Sequence, residues 1–292
     1  MPVTTAPVDH VVERIERAGP LDPVVKAVRG IVNSALRSQG VRDALHGVWL
    51  GHPLHPVLTD VPIGVWSAAA ILDVVPGTGP ASATLIATGC AAAVPTAATG
   101  WADWSRLHPP HQRVGLVHAG ANGLALALYS ASLVARARGR SLTGKAMAYA
   151  GFGALMVGGY LGGHLVFRQA AGANHTADTI DVFPDGWQPL GRLDDLPEGR
   201  PTMRTIEGVD ILVVRRGQHV DALSNRCSHL SGPLSDGSFT VEKGQGCIVC
   251  PWHGSTFRLS DGAVVHGPAT SPQQLFETRI SDGTVEIRLP GG

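Results

Sequence analysis

Apolar residues are spread along this chain in two unlike ways. Between about Leu54 and Phe167 charge is scarce and Ala, Gly, Leu and Val dominate, whereas from about Asp178 onward apolar and polar residues alternate over short runs. Four stretches of the first half (54–75, 80–100, 114–135 and 146–167) approach the roughly 20 residues that cross a bilayer. They contain no Lys or Glu, which a soluble alanine-rich bundle needs on its outer faces, and they are rich in the small residues that let helices pack closely in lipid. The pattern predicts a four-helix transmembrane bundle. Ahead of it, residues 22–38 place Val24, Val25, Val28, Ile31, Val32 and Ala35 on one helical face, with Asp22, Lys26, Arg29 and Asn33 largely opposite. Such a helix lies on a membrane surface or packs on the bundle. Behind the bundle, strand patterns fall at 202–206, 209–215, 219–224, 275–280 and 284–289, and Ser281-Asp282-Gly283 closes a hairpin. Many short strands with glycine turns predict a small antiparallel barrel or sandwich. Residues 235–246 read as a polar surface excursion.

The length of 292 residues suits about two domains. The expected organisation is an amphipathic segment at 1–48, an all-α membrane domain at 49–177, a linker at 178–186 around Pro184-Asp185-Gly186, and an all-β domain at 187–292. The 16% charged residues fall below the roughly 25% of soluble domains. A net charge of zero gives no footing for nucleic acid, so the bilayer is the expected non-protein partner.

The chemistry concentrates in two short runs, Cys227-Ser-His229 and Cys250-Pro-Trp-His253. Thiolate with imidazole suits zinc or an iron–sulfur cluster. Zinc knuckles group like with like, whereas each run here offers one sulfur and one nitrogen. That suits two irons, one taking both sulfurs and the other both nitrogens. The flanks, Cys227-Ser-His-Leu-Ser-Gly232 and Cys250-Pro-Trp-His-Gly-Ser-Thr-Phe257, resemble the two cluster loops of Rieske [2Fe-2S] proteins over roughly the last third of the chain. The resemblance implies that Cys227 and Cys250 hold a buried iron and that His229 and His253 hold an outer one. It implies that Ser255 donates a hydrogen bond to a bridging sulfide. Phe257 stands where high-potential members carry a tyrosine. Gly232 and Trp252 stand where those members carry a loop disulfide. The expected centre is therefore of the low-potential, ferredoxin-like type. Cys247 reads as a strand residue, Cys90 as packing, and His219 and His266 as surface or turn residues. No residue is expected to be catalytic in its own right.

Histidine is costly in a bilayer and usually functional there. His52, His55, His108, His111, His118, His164 and His175 all fall toward one leaflet if the four spans run antiparallel, with His108 and His111 in the loop between spans two and three. The stretch Gly51-His-Pro-Leu-His-Pro-Val-Leu-Thr-Asp-Val-Pro-Ile-Gly64 resembles an uncharacterised four-span microbial membrane domain known to be fused to Rieske domains. His118 and His164 are expected to approach each other, with His55 nearby, as a site for haem b, a quinone or another metal. The competing expectation is that these imidazoles only bond backbone carbonyls, waters or carboxylates.

These features predict a multi-pass protein of the cytoplasmic membrane. It is expected to carry single electrons between a redox partner protein or quinone and its [2Fe-2S] cluster. The alternative is a membrane redox sensor using the cluster as a switch. The chain shows no two-His, one-carboxylate iron domain, so it is not read as an oxygenase on its own. With no signal sequence or twin-arginine motif in view, the cluster domain is expected on the cytoplasmic side.

Overall fold

The structure is a computed structural model and describes residues 7–291. The helices are α1 (Pro7–Glu16), α2 (Asp22–Ala35), α3 (Gln39–His46), α4 (Leu54–Leu72), α5 (Gly79–Trp104), α6 (Pro109–Ala137), α7 (Ser141–Phe167) and α8 (Thr179–Val182). The strands are β1 (Gln188–Arg192), β2 (Thr202–Ile206), β3 (Val209–Arg216), β4 (His219–Ser224), β5 (Ser238–Glu242), β6 (Gln245–Val249), β7 (Thr256–Arg258), β8 (Val264–His266), β9 (Leu275–Ser281) and β10 (Thr284–Arg288). They form two compact units. One joins the chain up to Ser38 with Leu54–Ala171, and the other joins Gln39–Pro53 with the chain from Gly172 onward.

The first unit is built on α4 to α7, helices of 19, 26, 29 and 27 residues that are long and apolar enough to cross a membrane. Short turns make α4–α5 and α6–α7 helical hairpins. Small and polar residues such as Ala69, Ser82, Thr99 and Ser132 are buried beside a core of Trp66, Ile86, Tyr129 and Leu155. Large apolar side chains such as Val94, Met156 and Phe167 point outward. Glycine is required where aromatic rings cross helices. A Cβ on Gly89 would sit 2.3 Å from Trp66 Nε1, and one on Gly115 would sit 2.4 Å from Trp104 Cδ1. The α5–α6 turn is clasped by Trp104 Nε1 donating to the Gln112 carbonyl (2.8 Å), with Gln112 Nε2 returning to the Trp104 carbonyl (3.2 Å). Because α6 begins at Pro109, His111 lies in its first turn rather than in a loop, and His108 precedes that turn as its N-cap. The amphipathic α2 is fastened at its start by Arg113 to Asp22 (2.7 Å). Val25 is buried, while Ile31 is left 69% exposed.

The second unit contains a six-stranded sheet in the order β1-β10-β9-β4-β3-β2 and a four-stranded sheet in the order β5-β6-β7-β8. The strands expected from alternation appear as β2, β3, β4, β9 and β10. The expected surface excursion instead contains β5, which pairs with β6 in the register Phe239↔Ile248. It is an edge strand whose outer positions are polar or exposed, which hides its alternation. Lys243 and Gly244, both at positive φ, make the tight turn that a two-residue hairpin needs. The stretch expected as a linker carries α8 and buries Phe183 against Phe276, with ring centres 4.8 Å apart. The segment Gln39–Pro53, which precedes α4, is grouped with the β unit.

Candidate metal centre

Two turns carry the four candidate ligands. The first follows β4 and is shaped by Cys227 N–H donating to the Gly232 carbonyl (2.9 Å) and Ser231 N–H donating to the Cys227 carbonyl (2.9 Å). The second joins β6 to β7, with Cys250 N–H on the Ser255 carbonyl (2.8 Å) and Gly254 N–H on the Cys250 carbonyl (3.1 Å). Gly254 has a φ of 81°, a left-handed conformation that glycine adopts without penalty. Gly232 lets the turns meet, since a Cβ there would lie 2.8 Å from Cys250 Sγ and 3.1 Å from the Trp252 ring.

The donors are arranged two and two. Cys227 and Cys250 are 1% and 3% exposed and share a thiol hydrogen bond. That shared proton, reinforced by burial, pushes the Cys227 thiol up. The Cys250 thiol is lowered to about 7, chiefly by the bond from Cys227, with the Trp252 and His253 N–H groups adding to it against the cost of burial. The N–H groups of His229 and Leu230 point likewise at Cys227. Backbone donors around both sulfurs suit thiolates, and so a metal. The His229 and His253 rings stand 5.0 Å apart at 83°. His229 is buried, His253 half-buried, and the neighbouring Trp252 is 49% exposed. Among the described residues no three His, Cys, Asp or Glu side chains converge to hold a single ion. Two facing thiols and two neighbouring imidazoles instead match the donor set of a two-iron cluster.

Around these ligands, Ser255 is fully buried, and its Oγ accepts the Ala269 N–H at 3.0 Å. That leaves its hydroxyl hydrogen to be donated. Phe257 is fully buried in a core shared with Cys227, Cys250 and Ile248. Sequence reasoning missed three supports. Gln273 accepts from Ser228 N–H (3.0 Å) and donates to the carbonyls of Ser224 and Arg226 (2.7 and 2.6 Å), fixing the first turn. Asp43 on α3 bonds His266 Nδ1 (2.8 Å) and the Gly267 N–H (3.0 Å), so His266 is a half-buried hydrogen-bond partner of Asp43. His175, expected among the membrane histidines, belongs to the β unit. Its N–H donates to the Ser228 carbonyl (3.0 Å), and its Nδ1 lies 3.2 Å from Ser231 Oγ. No local motif announces these contacts, which join positions far apart in the chain. His219 is a surface residue bonded to Asp221 (3.0 Å).

The expected approach of His118 to His164 is replaced by a different arrangement. His164 Nε2 meets Glu16 Oε1 of α1 at 2.7 Å. The same carboxylate accepts from Gln169 (3.0 Å), whose carbonyl lies 3.1 Å from His111 Nε2. His118 Nδ1 instead bonds the Gly158 carbonyl (2.8 Å), and its ring neighbour is His55, centre to centre 6.4 Å. Proximity of α6 and α7 in sequence did not fix which faces their histidines occupy.

An antiparallel β domain that brings two Cys–His turns together is that of an iron–sulfur electron carrier. Residues 186–278 match the Rieske [2Fe-2S] domain, and residues 51–175 match a predicted membrane protein family, DUF2231. The chain is 36% identical over 103 residues to the ferredoxin subunit of anthranilate 1,2-dioxygenase from Burkholderia cepacia, covering 35% of this chain and 92% of that protein. It is 33% identical to the chloroplastic pheophorbide a oxygenase of Oryza sativa subsp. japonica over 34% of this chain, but over only 18% of that protein. Among solved structures, the ferredoxin of carbazole 1,9a-dioxygenase from Nocardioides aromaticivorans IC177 is 30% identical, with a TM-score of 0.33, covering 36% of this chain and 99% of that one. The chain belongs to the Rieske [2Fe-2S] family. Its C-terminal domain is an electron-transfer domain for a [2Fe-2S] cluster, fused to a multi-pass membrane domain.

Proposed function

We propose that the protein is a membrane-anchored one-electron carrier. In this reading Cys227 and Cys250 bind the inner iron of the cluster, and His229 and His253 bind the outer one. The observation that carries it is the two-and-two donor set, with thiols buried against each other and imidazoles side by side toward the half-buried rim. The cluster supplies a reversible one-electron couple. The chain supplies the rest: backbone N–H groups and Ser255 stabilise negative charge on sulfur, and the apolar core around Phe257 and Ile248 excludes water.

The partner in this proposal is a redox protein that docks at the rim beside His253 and the exposed Trp252, in keeping with the ferredoxin relatives. All four cysteines are free, which supports a reducing compartment and hence the cytoplasmic side of the membrane.

Full-length protein is expected to contain two irons and two acid-labile sulfides, to show a Rieske electron-paramagnetic spectrum, and to be reduced reversibly by one electron. His229→Ala or His253→Ala should abolish that spectrum. Stoichiometric zinc without labile sulfide would refute the ligand assignment.

A further inference from the structure

A local two-fold relation runs through the helical unit. Asp73 pairs with Arg136, which lies 63 positions later. Trp66 stacks on Tyr129, and His55 stands beside His118, at the same 63-position spacing. The second helix of each hairpin repeats at a spacing of 62 positions, as for Thr96 and Gly158 or Gly100 and Gly162. His55 Nδ1 lies 2.9 Å from the Thr96 carbonyl, and His118 Nδ1 lies 2.8 Å from the Gly158 carbonyl. A Cβ on Gly100 would meet the His55 ring at 2.7 Å, and one on Gly162 would meet the His118 ring at 3.1 Å. Hairpins α4–α5 and α6–α7 are therefore copies of one unit. They meet along an axis lined by the Asp–Arg, Trp–Tyr and His–His pairs. Membrane folds built from repeats place their ligand sites at such an interface.

We propose that His55 and His118 are the paired imidazole ligands of a d-block metal centre on this axis. The chemistry starts from the backbone. A carbonyl only accepts, so Nδ1 of each ring carries the hydrogen and Nε2 of the neutral ring carries the lone pair. Metal-binding histidines take this form, with the other nitrogen tied to a carbonyl that fixes ring and tautomer. Spacing supplies the second argument. The Asp73–Arg136 pair is closed by bonds of 3.0 and 2.5 Å, and the Trp66–Tyr129 pair by a stack at 4.3 Å. The histidine pair is not closed. Ring centres 6.4 Å apart keep any two ring atoms at least about 4 Å apart, beyond hydrogen-bond reach. A metal with bonds of about 2 Å to one nitrogen of each ring, on opposite sides, holds ring centres a little over 6 Å apart, matching this separation. The planes are 82° apart, so the rings are not stacked on each other.

Two uncharged side chains lie beside the pair. Thr99 Oγ1 lies 3.4 Å from His55 Nδ1. Asn122 Nδ2 lies 3.2 Å from His118 Nε2 and also donates to the His118 carbonyl at 3.0 Å. It therefore keeps an acceptor when the imidazole lone pair goes to a metal. His164 takes no part, because its Nε2 is held by Glu16.

The shared chemistry is two-imidazole ligation, and the metal can be the iron of a haem or a bare ion. The experiment uses full-length protein in detergent, supplemented with haem in one arm and with Cu(I) or Zn(II) in the others. The Rieske signal serves as an internal count of folded protein. About one equivalent of haem by pyridine haemochromogen, or one equivalent of bare metal without haem, supports the site and identifies its source. His55→Ala and His118→Ala should each lose that equivalent, while His164→Ala should keep it. If an alanine variant fails to fold, X-ray absorption at the copper or zinc edge of wild-type protein should show about two imidazoles per metal, and bound haem should show the optical and electron-paramagnetic spectrum of a bis-imidazole centre. No second metal in any arm, a metal retained in both alanine variants, or an absorption spectrum without paired imidazoles would overturn the proposal.

Discussion

The two units differ in what they leave outside and in how much of the interior is small or polar. In the β unit the interior is large and apolar: Leu212, Ile248, Phe257 and Phe276 are essentially inaccessible. In the helical unit small and polar residues share the interior with Trp66, Ile86 and Tyr129, while Ile71, Val94, Leu124 and Val157 stand mostly exposed. One chain thus follows two rules, and the solvent decides which applies. Water drives large apolar groups inward. Lipid is as apolar as those groups, so helices associate through close contact and polar pairs instead. The glycines record the same contrast. In the bundle they admit a neighbouring ring, as at Gly89, and in the β unit they mostly make turns, as at Gly254.

The contrast is most easily broken at Asp73 and Arg136, whose side chains are 1% and 9% exposed. Removing one partner of a buried ion pair leaves the other uncompensated and costs about 3–5 kcal/mol. Asp73→Ala is expected to lower the thermal unfolding midpoint of the helical unit, followed by circular dichroism in detergent, while the Rieske signal persists. Replacing both residues by leucine should recover most of the loss. An unchanged midpoint in the single variant would mean that this pair does not hold the hairpins together.

A smaller effect tests the rule of small residues inside. Gly89→Ala drives a methyl group into the Trp66 indole and should cost about 1–3 kcal/mol as overpacking. Gly64→Ala lies on the exposed side of α4 with nothing within 4 Å. It should stay within about 0.5 kcal/mol of wild type. Equal midpoints for the two variants would show that the α4–α5 contact is looser than the structure has it.

Much of this was legible in the sequence, for reasons that differ by region. The four candidate ligands are betrayed by spacing, because a two-iron site needs each turn to bring one sulfur and one nitrogen within a few residues. Strands β2, β3, β4, β9 and β10 are visible through alternation, whereas β5 sits at a sheet edge with polar outer positions. Asp43 and His266, 223 positions apart, leave no local trace of their pairing. The histidines of the bundle were visible as a group, but their partners were not. Helical faces are set by packing, which turned His164 to Glu16 and His118 toward His55. The internal repeat is hidden because the two hairpins share few identities beyond the histidine, a Ser-Ala step and two glycines. Its paired positions otherwise carry complementary residues, Asp against Arg and Trp against Tyr.

The smallest expected effect lies in the β unit and is read as a potential. Each hydrogen bond to a cluster sulfur favours the reduced, more negative state. Ser255 has its Oγ lone pair taken by the Ala269 N–H, so its hydroxyl hydrogen is directed elsewhere within a fully buried setting. Phe257 offers no hydroxyl in the same core. With one side-chain donor and no loop disulfide, the midpoint is expected in the lower half of the roughly −150 to +300 mV covered by Rieske centres. A net hydrogen bond of about 1 kcal/mol corresponds to roughly 40 mV for a one-electron couple. Ser255→Ala should therefore lower the midpoint by about that amount, and Phe257→Tyr should raise it similarly, both measured by redox titration of the Rieske signal. The two shifts are opposite in sign and arise from residues two apart, one ending the second turn and one on β7. A wild-type value near the top of the range, or two variants moving in the same direction, would show that charge and solvent exposure, not these sulfur contacts, set the potential.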